Sequence, residues 1–321
     1  MTWQREANDE QLVTFTNAYM PSWRLWHLHS IKFALDHLDE VSASYTSHRP
    51  GAEPGSVTES TLLGPVASGL YAAALGETVM YAEDLFTLVR GLRHPERFVA
   101  ETVNFPGGKV TGLVGKLESI DVDAVSKAFF IPTGEWLELD GTELERFETG
   151  RILVRERLHE VIAWWRKYRF LQQQYKHGMT LALHPFGREL PEETLIDRRA
   201  GGAPPIYALD NEAISDETLA RSGGTLAFNA GPGAALAHAE QLIKDRNFLR
   251  YALTLPTAFD DILAVARVCC ELLEILIHHR QRLLPSTIGR YQVQVPNANG
   301  TWMLVSTDAV APPLSQFAMQ L

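Results

Sequence analysis

Cationic and aromatic side chains concentrate in the run from Arg151 to Gly178, RILVRERLHEVIAWWRKYRFLQQQYKHG. The run holds seven of the 29 Lys and Arg residues of the chain, together with two Trp, two Tyr and two His. Only Glu156 and Glu160 oppose these cations, so the run carries a net charge of +5 in a chain of net charge −10. A local reversal of charge on a helix-length segment is typical of an anion-binding surface. It is equally typical of a solvated helix face, and both interpretations stay open.

Plotted at about 100° per residue, the run separates into two faces. The apolar sector, which we expect to be buried, holds Leu153, Val154, Val161, Trp164, Tyr168, Leu171 and Tyr175. The cationic sector holds Arg151, Arg155, His159, Arg166, Arg169, Lys176 and His177, interrupted by Leu158 and Ile162. Arg157 falls on the apolar sector, so it needs a carboxylate partner or a path to the surface.

The chemistry that suits this cationic sector is phosphate binding. Arginine forks make bidentate contacts with phosphate, and a histidine can transfer protons near neutral pH. We therefore expect a binding or regulatory module whose ligand is RNA or another phosphate-bearing molecule. The predicted binding residues are Arg151, Arg155, Arg166, Lys176 and Tyr175. A protein partner or an anionic membrane surface is the remaining alternative for this sector.

The end of the run resembles HEPN domains, helical bundles found in prokaryotic defence and toxin systems. The residues that carry the resemblance are Arg169 and the tetrapeptide Tyr175-Lys176-His177-Gly178, after a helical hairpin within residues 25–178. The resemblance implies a metal-independent ribonuclease as an alternative function, with His177 as general acid/base and Arg169 stabilising charge on the phosphate. It also implies a homodimer. Active family members place four to six residues between Arg and His, whereas seven separate Arg169 from His177 here.

A di-metal helical enzyme is the second alternative. Glu156 and His159 have the i,i+3 spacing of a carboxylate–imidazole pair in di-iron bundles, and Glu274, His278 and Glu83 could contribute. A complete site needs a second Glu-x-x-His, and the chain has none. We therefore predict no metal site and no cofactor.

Composition indicates an ordinary globular protein. Hydrophobic residues make up 45% and charged residues 21% of 321 positions, close to the averages for soluble domains. The two cysteines, Cys269 and Cys270, are adjacent, and neighbouring residues of a helix point too far apart to form a disulfide. With no leader sequence and no apolar stretch of transmembrane length, we expect a soluble cytoplasmic protein.

The elements that must position these residues are mainly helical. Apolar periodicity predicts helices over residues 25–45, 64–92, 151–177, about 234–252 and 258–284, with shorter helices between Gly107 and Pro132. Strand-like runs, MTLALHPF, PPIYALD and TLAFNA, follow residue 178, and Asn297-Ala-Asn-Gly indicates a hairpin near the C-terminus. We predict a mainly α, multi-helix bundle with a small inserted β element and a C-terminal hairpin (α+β). Its expected parts are residues 1–178, 179–233 and 234–321.

Overall fold

Helices dominate the architecture and confirm the predicted mainly α class. The computed structural model describes residues 2–47, 59–103, 107–176, 181–182, 205–208, 251–254, 259–284, 290–307 and 311–319. Its α-helices are α1 (Thr2–Ala18), α2 (Trp23–Asp36), α3 (Leu38–Ser47), α4 (Glu59–Gly91), α5 (Phe98–Val103), α6 (Gly107–Ser119), α7 (Val122–Ala128), α8 (Gly141–Lys176) and α9 (Phe259–Arg282). Short 3₁₀ turns cover Pro95–Arg97 and Leu314–Phe317.

Two small antiparallel sheets accompany the helices. The first joins β1 (Leu181–Ala182), β2 (Pro205–Ala208) and β3 (Tyr251–Thr254) in that order. The second is the predicted hairpin, β4 (Tyr291–Pro296) with β5 (Trp302–Thr307), in a register that pairs Val293 with Val305. Gly300 closes its turn with φ +79°, a conformation that glycine adopts without steric cost.

One compact unit comprises Met1–Trp23, Tyr81–Ala163 and Arg267–Leu321. Its interior is formed by apolar side chains of α4, α8 and α9 that recur at helical spacing, such as Leu85, Val89, Val154, Leu158, Leu272 and Leu276. The inner face of the hairpin adds Tyr291, Val293, Val295 and Val305. This unit contains the first 23 residues of α8.

The second compact unit comprises Arg24–Met80 and Trp164–Ala266. Its described interior includes Leu28, Ile31, Leu75, Val79, Trp164, Tyr168 and Ile262. Arg24 Nη1 donates to Oε1 of the buried Glu77 over 2.6 Å, which ties α2 to α4. Tyr71 packs edge-on against Phe259, with ring centroids 5.6 Å apart. This unit contains the C-terminal end of α8.

The predicted elements differ from the structure at three places. The helix expected over 25–45 is two helices that meet at His37, whose ring Nδ1 lies 2.8 Å from the carbonyl oxygen of Phe33. The helix expected from residue 64 begins at Glu59. The helix expected over 234–252 is wrong at its end, because Tyr251 and Ala252 lie in β3 and pair with β2. The rest of that helix, the strand-like TLAFNA and Gly178 lie outside the described residues.

The close approach of α8 to β4 depends on Gly150. A Cβ atom placed there would lie 2.7 Å from Val295 Cγ2 and 2.8 Å from the backbone oxygen of Pro296. We expect Gly150→Ala to lower the free energy of unfolding by about 1–3 kcal/mol through overpacking, although alanine favours helix. Urea denaturation would measure the loss.

A matched control for Gly150→Ala is available on α6. At Gly115 a Cβ atom would meet no atom of the described residues within 4 Å. We therefore expect Gly115→Ala to raise stability by about 0.5–1 kcal/mol, because alanine is the better helix former. Equal effects of the two substitutions would contradict the contact between α8 and β4.

Candidate functional site

The net positive charge of α8 is located in its last three turns. From Gly141 to Trp165 the helix carries five carboxylates and four Arg residues. From Arg166 to Lys176 it carries four cations and no carboxylate. The basic character that the whole run shows in sequence therefore belongs to the C-terminal third of the helix.

The helical projection predicted that Arg151 lies on an exposed binding face, but in the structure it is buried. It is 4% exposed. Its Nε donates to Ser126 Oγ over 2.9 Å and its Nη1 donates to Glu148 Oε2 over 2.7 Å, while its Nη2 binds Asp123. The projection was wrong because the α7 residues that cover this part of α8 are distant in sequence. We remove Arg151 from the set of candidate binding residues.

Arg155 and Arg157 also bind residues of the first compact unit. Arg155 is half-buried, and its Nε donates to the carbonyl oxygen of Ile120 over 3.3 Å. Arg157 forms an ion pair of 2.7 Å with Glu271 of α9, which confirms that a cation on the apolar sector needs a carboxylate. The N-terminal cations of α8 thus stabilise the packing of this unit.

Three cations within about one turn of α8 have exposed surface in its C-terminal third. Arg166 is exposed, and Lys167 and Arg169 are partly exposed. The guanidinium carbon of Arg169 lies 5.1 Å from the ring centroid of Trp165, and Lys167 Nζ lies 4.8 Å from the ring centroid of Tyr168. These are cation–π distances. We call Arg166, Lys167 and Arg169 the basic turn.

The aromatic residues beside the basic turn are internal. Tyr168 has no exposed surface, as its helical phase predicted, and Trp165 is only 3% exposed. Trp164 packs on Tyr168 with ring centroids 4.4 Å apart. Trp165 and Tyr168 contact the cations through their ring faces, and because both are buried they are not available to stack on the bases of a nucleic acid. The sequence prediction did not include Lys167. Its position directly before Tyr168, a residue predicted to be buried, is the feature that could have identified it.

The two other predicted binding residues of this region are placed only as backbone. Tyr175 and Lys176 form the last turn of α8, and their side chains are outside the described part of the structure. His177 also lies outside the described residues. The predicted catalytic pair, His177 and Arg169, is therefore not tested by the structure.

The cluster His278-His279-Arg280 at the end of α9 resembles a basic patch in sequence but is internal. His279 has no exposed surface and Arg280 is 1% exposed. Arg280 Nε donates to the carbonyl oxygen of Leu92, just after the end of α4, over 3.0 Å. His279 Nδ1 lies 3.0 Å from the carbonyl oxygen of Phe129, and its Nε2 accepts the backbone N–H of Gln294 over 2.9 Å. These side chains satisfy backbone groups and present no charge to a ligand.

The described residues offer no metal centre. Among them, no three or more His, Cys, Asp or Glu side chains come close enough together to hold an ion. That search includes Glu83, Glu156, His159, Glu274 and His278, the residues considered for a di-metal site. We do not propose a di-metal enzyme.

Comparisons with protein-family models, with curated proteins and with solved structures find no match to this chain. Across the described helices, none is both long enough and apolar enough to cross a membrane. The functional argument therefore rests on the residues of the chain themselves, above all on the basic turn.

Proposed function

We propose that this protein is a binding module that holds a phosphate-bearing ligand, such as single-stranded RNA, against the C-terminal third of α8. The observation that carries the proposal is the basic turn: cations at Arg166, Lys167 and Arg169, facing outwards, in a stretch of helix without a carboxylate. In a chain of net charge −10, such a turn gives a local attraction for anions that the rest of the surface opposes.

The aromatic supports make the basic turn better suited to phosphate than a solvated face. A guanidinium held against an indole ring loses some of its rotational freedom before any ligand arrives. Arg169 is held in this way, with its guanidinium carbon 5.1 Å from the ring centroid of Trp165. Lys176 lies seven residues further on, about 10 Å along the helix, and extends the same basic stretch.

The position of the basic turn also avoids the unfavourable end of the helix dipole. The C-terminus of a helix carries partial negative charge, whose influence is confined to the last turn. Arg169 precedes the last residue of α8 by seven positions. An anion would therefore bind along the side of the helix. For a nucleic acid, these would be contacts with the phosphate backbone, which carry no base specificity.

The proposal is tested by fluorescence anisotropy with a labelled, mixed-sequence single-stranded RNA. We expect the triple substitution Arg166→Gln, Lys167→Gln and Arg169→Gln to weaken binding about tenfold or more at low salt. Because each phosphate contact on a single strand contributes about 0.7 to the salt slope, we expect the slope of log affinity against log salt to fall by about 2.

The matched control removes three exposed cations elsewhere. Lys116, Lys127 and Arg146 are exposed, and Lys116→Gln, Lys127→Gln and Arg146→Gln together change the net charge by the same amount. We expect this control to bind the RNA nearly as well as the unmodified protein. Equal losses in both triple variants, or no binding at low salt by the unmodified protein, would contradict the proposal.

The same samples distinguish a binding module from the ribonuclease that the HEPN resemblance implies. Gel analysis of the RNA after incubation would detect cleavage. We expect intact RNA with the unmodified protein. Cleavage that His177→Ala abolishes while affinity is retained would establish the ribonuclease instead, because a general acid/base contributes to turnover and not to phosphate contact.

We also propose a cytoplasmic location. Both thiols of the chain, Cys269 and Cys270, are free and buried in α9. Burial raises the pKa of both thiols, that of Cys270 to about 11, so that both stay protonated and unreactive. Two unpaired thiols fit a reducing compartment.

A further inference from the structure

The outer edges of β4 and β5 differ in whether their backbone groups have hydrogen-bond partners. The Asn297 N–H donates to the carbonyl oxygen of Thr301, and hydrogen-bonded pairs alternate along an antiparallel ladder. Residues 295, 293 and 291 therefore exchange backbone hydrogen bonds with β5, whereas the backbone N–H and C=O groups of residues 292, 294 and 296 point away from it. At the centre of this edge the Gln294 N–H donates to His279 Nε2 of α9 over 2.9 Å, and at its end Pro296 has no N–H to donate. The outer edge of β4 is therefore closed by α9.

Among the residues that the structure describes, none pairs with the outer edge of β5. By the same alternation, the backbone N–H and C=O groups of Trp302, Leu304 and Ser306 point away from β4. No strand in the described part of the chain pairs with this edge, and the sheet has two strands. An unpaired edge of six residues, about 20 Å long, is a ready template for another strand. Leu304, at its centre, is 56% exposed.

A groove lies beside β5. It has a volume of about 550 Å³ and is bounded by residues 303–307 on one side and by Leu137, Glu138, Leu139 and Glu143 on the other. The two leucines supply an apolar wall, and the two carboxylates are exposed. The groove thus combines open backbone groups, apolar surface and negative charge, which are the three components of recognition by strand addition.

The charge of the groove wall identifies the kind of partner. Residues 134–145 include five carboxylates, at positions 135, 138, 140, 143 and 145, and no Lys or Arg. A segment that enters this groove must be extended to meet the strand edge and cationic to complement the wall. We propose that β5 binds an extended, lysine- or arginine-rich segment of a partner protein, which adds to the hairpin as a third strand.

This proposal is independent of anion binding by the basic turn. The groove residues come from β5 and from the segment before and at the start of α8, and they carry negative charge. A cationic peptide does not compete with RNA for the same chemistry. Each function can therefore fail its test without affecting the other.

The probe is a fluorescein-labelled octapeptide of alternating Lys and Val residues, titrated against the full chain in an anisotropy assay. A second probe has the same sequence and charge but is N-methylated at every interior residue, so it cannot donate to a strand edge. We expect the N-methylated probe to bind about tenfold more weakly or worse, because several backbone hydrogen bonds are lost. A third probe with Glu in place of Lys is expected not to bind.

Protein variants separate the two contributions. Leu304→Pro removes an N–H of the open edge without removing a bond to β4, and we expect it to weaken the first probe about tenfold. Glu138→Gln with Glu143→Gln tests the charged wall and is expected to weaken binding similarly. The matched control is Glu156→Gln with Glu160→Gln, which removes two exposed carboxylates from α8 and should leave affinity unchanged.

Hydrogen exchange observed by NMR locates the bound probe. On binding, we expect the amides of Trp302, Leu304 and Ser306 to become protected, whereas those of Met303 and Val305 are already protected by pairing with β4. Equal affinity of the N-methylated probe for the unmodified protein would overturn strand addition. Unchanged exchange at the three edge amides, or an equal loss in the Glu156→Gln, Glu160→Gln control, would also overturn it. These outcomes do not depend on whether Leu304→Pro folds.

Discussion

Replacing Asp123 by Asn and Glu148 by Gln together is expected to lower the free energy of unfolding by about 3 kcal/mol or more. The reason is that the guanidinium of Arg151 stays buried, with its side chain 5% exposed, and loses both counter-charges. A buried charge without a partner has a large desolvation cost. Urea denaturation at neutral pH would measure the change in midpoint and slope.

The single substitutions set the scale for that double variant. Asp123 is 72% exposed, so Asp123→Asn alone should cost less than about 1 kcal/mol, as for a surface ion pair. Arg151→Met removes the buried charge and keeps most of the side-chain volume, so we expect about 1–2 kcal/mol from the lost bonds. If the double variant loses no more than Asp123→Asn alone, Arg151 is not a buried structural cation. Arg151→Met should also leave RNA affinity unchanged.

Arg151 and Arg166 show why the site was only partly predictable from sequence. Both lie on the cationic sector of the helical projection, and local periodicity treats them alike. The structure separates them because Asp123 and Ser126, 28 and 25 residues earlier, cover Arg151. Helical phase fixes the direction of a side chain, but the element that packs against that side is a long-range property of the fold.

The elements that the sequence predicted best are those with local signals. The hairpin around Asn297–Gly300, the short helices that begin at Gly107 and end before Pro132, and the helix at Phe259–Arg282 follow from turn residues and apolar periodicity. The pairing of Tyr251 and Ala252 with β2 was missed because Tyr207 and Ala208, their partners, lie more than 40 residues away. Strand pairing at that separation leaves no local pattern that excludes a helix.

His279 illustrates the same limit with a larger consequence for stability. In sequence it reads as a cation at a helix C-terminus, whereas in the structure it links the carbonyl oxygen of Phe129 to the backbone N–H of Gln294. An imidazole that bonds to a C=O through Nδ1 and accepts an N–H at Nε2 must be neutral. Burial, with a further contribution from His278, lowers the pKa of His279 from 6.5 to about 3.

We expect His279→Ala to lower the free energy of unfolding by about 3 kcal/mol at pH 7, because it opens a cavity and leaves one buried and one partly buried backbone group unpaired. The penalty should shrink in acid. In the unfolded chain His279 binds a proton below its ordinary pKa of 6.5, whereas the folded protein resists protonation until about pH 3. The stabilisation by His279 is therefore complete above about pH 7 and is lost as the pH falls through 6.5 towards 3.

Between pH 7 and pH 5 this linkage removes about 2 kcal/mol from the unmodified protein and nothing from the alanine variant, which has no imidazole to protonate. The stability difference between the two proteins should accordingly fall to about 1 kcal/mol at pH 5, measured by urea denaturation at both pH values. A stability difference that is the same at pH 7 and pH 5 would show that His279 can bind a proton in the folded state, and hence that its Nε2 does not hold the edge of β4.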